Sequence, residues 1–177
     1  MTGKDVLYDL LETQHKAVNN EFAGLGEEAL NWRPDAEANS IAITLWHLAR
    51  VADFVLTHRL EGRPVEEQRW FSDGQAERTG YDPRGVGAGG MGILTGYTQE
   101  EVAALPPMSG DDLQAYHHTV YTALLAHLAA LPDDSLAQPV PGEGTQRPHY
   151  FWYRVILLDA TRHMGEMQAI KALWQRR

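Results

Sequence analysis

Four separate stretches of the chain carry apolar residues at three- and four-residue steps, and almost nothing alternates with the two-residue period of a strand. The first runs from about Lys4 to Phe22, with Leu7, Leu10, Leu11, Val18 and Phe22 recurring on one face, and stops at Gly24-Leu25-Gly26. Glu27-Glu28-Ala29-Leu30 reads as one further turn before Pro34 breaks the pattern. The second stretch begins at Asn39-Ser40, both good N-caps, and runs through Ile41, Leu45, Leu48, Ala52, Val55 and Leu56 to about Leu60. A third follows Pro106-Pro107, with Ser109 or Asp111 as its cap and Leu113, Tyr116, Val120, Leu124, Leu128 and Leu131 as its stripe. The fourth starts near Pro148, a residue favoured in a helix's first turn, and continues through Val155, Ile156, Met167, Ile170 and Trp174. Helices of roughly 20 residues, each about 30 Å long, predict an all-α four-helix bundle. At 177 residues the chain is read as one domain.

Between the second and third stretches, Glu61 to Pro107 reads as a long irregular crossover. It contains Gly85-Val86-Gly87-Ala88-Gly89-Gly90, which formally satisfies the dinucleotide fingerprint G-x-G-x-x-G. That fingerprint has meaning only between a strand and a helix, and the residues before it, Arg78 to Pro83, read as loop. A nucleotide site is therefore rejected in favour of a flexible crossover. Thr98-x-x-Glu101 is a capping box and predicts a short helix over Thr98–Leu105. Loops of this length in compact domains often serve as lids or binding loops.

Charge and composition remove several classes of function. Fifteen Lys and Arg against 24 Asp and Glu give a net charge of −9, with no basic run beyond Arg176-Arg177. A nucleic-acid partner and an anionic membrane surface are both unfavourable for such a chain. There are no cysteines, which excludes disulfides, thiolate metal ligands and a cysteine nucleophile. The first residues lack a charged segment leading into an apolar core, and no apolar run approaches the ~20 residues that span a bilayer. A cytoplasmic location is the resulting expectation.

The fourth stretch holds the residues most out of place. Its stripe passes from Trp152, Val155 and Ile156 through Asp159 and His163 to Met167, Ile170 and Trp174. An i, i+4 spacing puts Asp159 and His163 on one side of the helix, a turn apart. A carboxylate on a buried face needs compensation, either from a divalent cation shared with His163 or from a plain Asp–His hydrogen bond. In the second stretch His47 stands among core residues, sharing its side with Thr44, Val51 and Phe54. It reads either as a satisfied core histidine or as the third ligand. Two histidines and one carboxylate would leave coordination positions open, as catalytic metal sites do. His58 lies eleven residues beyond His47, roughly 16 Å away and too far to share an ion. His15, His117 and His127 border apolar faces, while His118 and His149 are expected to be exposed.

These residues together resemble the DinB-like (YfiT-like) metal-binding four-helix bundles. One part of the resemblance is Leu25 to Pro34 followed by Asn39-Ser40-Ile41 and Trp46-His47-Leu48-Ala49-Arg50. It is similar to the family's segment leading to the first histidine ligand. The other is Asp159-x3-His163-Met164-Gly165-Glu166, which resembles the family's H-x3-H-x-G-Q stretch. The resemblance implies that His47, Asp159 and His163 bind one divalent transition metal, zinc, nickel or iron. Asp159 stands where histidine is commoner, and a carboxylate there is similar to the mycothiol-dependent maleylpyruvate isomerase branch. Glu166 replaces the usual glutamine, either supporting a ligand or serving as a general base. The activity implied is transfer to a low-molecular-weight thiol. The rivals are a non-catalytic metal-binding or stress-related bundle and a metal-dependent hydrolase. The family also implies a homodimer and a small-molecule substrate.

Overall fold

The computed structural model describes residues 1–142 and 144–177. Eight α-helices follow in chain order: α1 Gly3–Phe22, α2 Glu27–Asn31, α3 Ile41–Phe54, α4 Arg69–Ser72, α5 Gln75–Thr79, α6 Gln99–Ala103, α7 Gly110–Ala130 and α8 His149–Trp174. The long helices α1 and α3 each pack against both α7 and α8, so the four alternate around a bundle. Their starts follow the sequence closely. Thr2 and Asp5 form a reciprocal capping box on α1, and Ser40 accepts from the amide of Ile43 at 3.1 Å to open α3. Ser109 caps α7, and Pro148 precedes α8. Among the described residues there is no β-strand, only a single bridge between Pro139 and Pro148. No helix among them is long and apolar enough to cross a membrane.

Helix α3 departs from the amphipathic expectation. Every one of its residues, Ile41 through Phe54, is buried, because α7 and α8 flank it and α2 and the crossover cover the rest. Its continuation, Val55–Leu60, is π-helical, with the Glu61 amide donating to the Leu56 carbonyl at 3.0 Å. The helical extent read from the sequence holds, while its last turns are wound more loosely.

The long crossover is irregular for most of its length but carries several short helical turns. Besides α4, α5 and α6 it contains 3-10 turns at Val65–Glu67 and Ala88–Gly90, and the Thr98–Glu101 capping box forms as expected. It is fastened to α3 by buried side chains, with Trp70, Ile93 and Leu105 joining the core. The Trp46 ring meets those of Trp70 and Tyr81 edge-on, each at 5.8 Å. The glycines of the rejected nucleotide fingerprint serve to fold this segment tightly. Gly87 has φ +71°, and a Cβ there would lie 2.5 Å from the Tyr97 ring.

A buried ion pair completes the fastening. Arg50 and Asp53, both fully buried on α3, approach within 3.6 Å. Asp53 accepts from the Tyr116 hydroxyl at 2.8 Å, the Thr57 hydroxyl at 3.3 Å, and the amides of Arg69 and Trp70 at 3.1 and 3.0 Å. It thereby caps α4 from a distance, supplying the acceptor that α4's own N-cap Gln68 does not. The Arg50 guanidinium donates to the Gly92 carbonyl at 3.2 Å and lies over the Trp70 and Phe71 rings.

Histidines outside the candidate ligand set have structural settings of their own. His149, expected to be exposed, is buried, because its ring turns back to donate to the Gln138 carbonyl at 3.0 Å. His127 hydrogen-bonds the Tyr153 hydroxyl at 2.5 Å. His118 is exposed as expected, and His58 is also exposed, its ring against Phe54 at 5.2 Å.

Two outcomes are expected. Asp53→Ala should destabilise the protein by about 3–5 kcal/mol in urea denaturation, since it leaves Arg50 as an uncompensated buried charge; a loss under 1 kcal/mol would contradict this account. Burial holds the His127 imidazole below its ordinary value of 6.5. The unfolded chain therefore binds this proton more readily, and the stability present above about pH 6.5 is lost as pH falls below it. Between pH 7 and 5 the urea midpoint of His127→Phe should fall less steeply than that of the wild type.

Candidate metal centre

His47 reaches the site from the first half of α3, and Asp159, His163 and Glu166 from successive turns of α8. The fully buried face of α8 is Tyr153, Ile156, Ala160, Met167 and Ile170. Asp159 and His163 lie beside that face, not in its middle, with side chains 24% and 25% exposed. The sequence stripe was thus correct in period and slightly rotated in phase. His47, by contrast, is buried.

The structure brings one ligand atom from each of His47, Asp159 and His163 within 4.8 Å of one another. His47 Nε2 lies 3.2 Å from Asp159 Oδ2, and His163 Nε2 lies 3.7 Å from Asp159 Oδ1. Ligands about 2.0–2.2 Å from a tetrahedral ion are about 3.3 Å apart, so these spans suit one.

The remaining ring nitrogens decide what the site can hold. His47 Nδ1 donates to the Ile93 carbonyl at 2.5 Å, and a carbonyl can only accept. His163 Nδ1 donates to Glu166 Oε2 at 2.6 Å. Both rings are thereby fixed with Nε2 turned toward Asp159, the arrangement that presents imidazole lone pairs to an ion. Asp159 Oδ2 is buried and meets no donor in hydrogen-bond geometry. Acceptors gathered around an orphaned carboxylate oxygen fit a divalent cation.

Charge follows the same geometry. Burial raises the Asp159 carboxyl, but positive charge beside it, which the His47 and His163 rings supply when protonated and an ion would supply when bound, outweighs it and holds the group below the usual carboxylate range. The hydrogen bond that His163 donates to Glu166 raises His163, and the same bond lowers Glu166, which also accepts from Asn39 Nδ2 at 3.5 Å. A carboxylate with reduced proton affinity is a poor general base. Of its two readings, Glu166 has the position of a group that orients His163. Gly165, the third matched residue of that stretch, is exposed with open space around its Cα.

A polar cavity of about 400 Å³ opens beside the triad, lined by Asn39, Thr95, Tyr97 and Gln99 with His47, Asp159 and His163. Three of these lining residues come from the crossover, which therefore forms one wall of the site.

Residues 10–167, most of the chain, match the sequence profile of the DinB superfamily. The chain belongs to this superfamily. The fold agrees with a crystal structure described as that of the conserved protein of locus from Enterococcus faecalis. That structure is 17% identical, with a TM-score of 0.80 over 100% of this chain and 99% of the other. No curated protein matches the chain.

In this DinB-superfamily bundle, sequence reasoning located the three converging side chains but missed what holds them. Ile93 contributes a backbone carbonyl, which leaves no signature in a sequence. Arg50 acts one residue away, through Gly92. Asn39 reads in the sequence as a helix cap and as part of the family segment, not as a partner of Glu166. The Gly92 backbone has φ +64°, and a Cβ there would come 2.4 Å from the Pro83 carbonyl oxygen. Gly92→Ala should therefore displace Ile93 from His47 and weaken zinc binding by about 10–100-fold, the usual effect of losing a ligand's supporting partner. Competition titration with a chelating dye measures it, and unchanged affinity would remove Ile93 from the account.

Proposed function

We propose that this protein is a metal-dependent enzyme in which His47, Asp159 and His163 hold one divalent transition metal at an open site. The observation that carries the reading is the fixing of both imidazoles through Nδ1, with Nε2 of each facing an orphaned carboxylate oxygen. Imidazole ligands favour zinc, nickel or iron over magnesium and calcium. Partial exposure and the adjoining polar cavity favour a catalytic centre over a closed structural one.

The reaction we propose is transfer involving a low-molecular-weight thiol. When bound, the ion supplies Lewis acidity that lowers the pKa of a thiol or water at an open coordination position. The chain itself contributes no thiol, so the sulfur belongs to a cosubstrate. Asn39, Thr95, Tyr97 and Gln99 offer the polar contacts that orient such a molecule. Glu166 keeps His163 in its ligating tautomer, and the Ile93 carbonyl does the same for His47.

Elemental analysis of untagged, native-purified protein tests the centre. Wild type is expected to carry at least one equivalent of transition metal, and His163→Ala one equivalent fewer, with a lower Tm for the purified variant. Asp159→His should keep the ion, since imidazole replaces one ligand with another. Should His47→Ala and His163→Ala each retain wild-type metal, the triad is only a buried hydrogen-bonded group.

A further inference from the structure

A second group of histidines lies away from the triad, where α1 meets α7. His15 Nε2 of α1 and His118 Nδ1 of α7 are 3.3 Å apart. Both line a groove of about 800 Å³ between these helices, together with Glu12 and Asn19. Imidazole nitrogens bound about 2.0–2.1 Å from a tetrahedral ion are about 3.3 Å apart, which is the separation found here. We propose that His15 and His118 form a second transition-metal site that bridges α1 and α7, with Glu12 as a third ligand.

His15 is prepared for this role by its surroundings. Its ring is 7% exposed, stacked on Tyr121 at 4.9 Å with 12° between planes and packed against His117 at 4.9 Å. A ring held this way loses little freedom when it binds an ion. Its tautomer is also set. His117 Nδ1 donates to Asn19 Oδ1 at 3.2 Å, which turns the Asn19 amide so that Nδ2 donates to His15 Nε2 at 3.2 Å. The lone pair of His15 is therefore on Nε2, the atom that faces His118. Binding there replaces the hydrogen bonds that His15 Nε2 makes with Asn19 Nδ2 and His118 Nδ1, while the contact of Asn19 with His117 survives.

The other two ligands come from the groove's rim. His118 is exposed and can adjust its ring at little cost. Glu12 stands one turn before His15 on the same side of α1, paired at 2.7 Å with Lys16 across the helix surface. Among the described residues its carboxylate does not stand within ligand distance of both rings, but such surface pairs are worth little, so it can leave lysine and swing to an ion. Burial pushes the His15 pKa down to about 4, with His118 and Lys16 adding to the effect, so the ring is neutral and competent to ligate at neutral pH. Two imidazoles with at most one carboxylate select nickel, copper or zinc over magnesium and calcium. Because the ligands are 103 positions apart in sequence, the ion would clamp two helices that meet only through the fold.

The test uses untagged full-length protein and nickel chloride, followed by isothermal titration calorimetry. The His163→Ala variant isolates this site from the triad. It should bind one equivalent of nickel, and His118→Ala added to it should abolish that binding. His118 is exposed, so this change leaves the fold intact, which the Tm without metal verifies. Glu12→Gln in the His163→Ala background should weaken nickel at least tenfold, and copper(II) bound there should show two nitrogen ligands by electron paramagnetic resonance. Nickel should raise the Tm of His163→Ala but not that of the double variant. If His163→Ala takes up no nickel at 100-fold excess, or if the double variant binds as the single one does, the proposal is overturned. Failure of the triad reading looks different: wild type then binds one equivalent that survives His163→Ala and disappears with His118→Ala.

Discussion

The pairing of Arg50 with Asp53 inside α3 is the constraint on which the rest of the arrangement depends. Two opposite charges removed from water are stable only if nearly every polar atom around them finds a partner. Here the partners are drawn from the crossover and from α7. Asp53 fixes the start of α4, and Arg50 fixes the Gly92 carbonyl. Ile93 follows directly, and its carbonyl sets the tautomer of His47. The candidate metal centre is thus tied through three short links to an ion pair it never touches. An apolar core alone would hold the crossover in place but would not fix the direction of one carbonyl.

How much of this was legible in the sequence depends on the kind of interaction. The long helices declared themselves because each repeats its apolar residues over about four turns or more and begins at a recognisable cap. Of the short helices of the crossover only α6 did, through its Thr98–Glu101 capping box, while α4 and α5 did not. A helix of four or five residues has no room for a period, and its attachment rests on single anchors such as Trp70 and Ile93. His47, Asp159 and His163 were visible because ionisable residues within apolar runs conflict with burial unless something compensates them. Arg50 and Asp53 sit in a similar run, yet they escaped notice because α3 was assumed to have a solvent-facing side. A helix buried all round has none, so each of its charges needs a partner.

The DinB-superfamily scaffold explains why two separate histidine groups can coexist. A bundle whose long helices alternate creates several seams, each lined by residues at three- and four-residue spacing. The α3–α8 seam gathers the triad, and the α1–α7 seam gathers His15, His117 and His118. They differ in how the rings are held: by acceptors on Nδ1 in one, by stacking and an asparagine amide in the other.

The loosely wound end of α3 has a consequence for how this chain tolerates changes of length. A π turn accommodates one residue more than an α turn without breaking the helix. Removing one residue between Val55 and Leu60 would let the segment rewind as an α-helix and leave everything before it undisturbed. Because the π turn holds that residue as one extra within a single turn, the chain would still leave the helix in nearly the same direction, with Trp70 kept against Trp46. Homologous chains that share this crossover can therefore differ by one residue at the helix exit, whereas a one-residue change within the α-helical part of α3 would turn everything after it by about 100°.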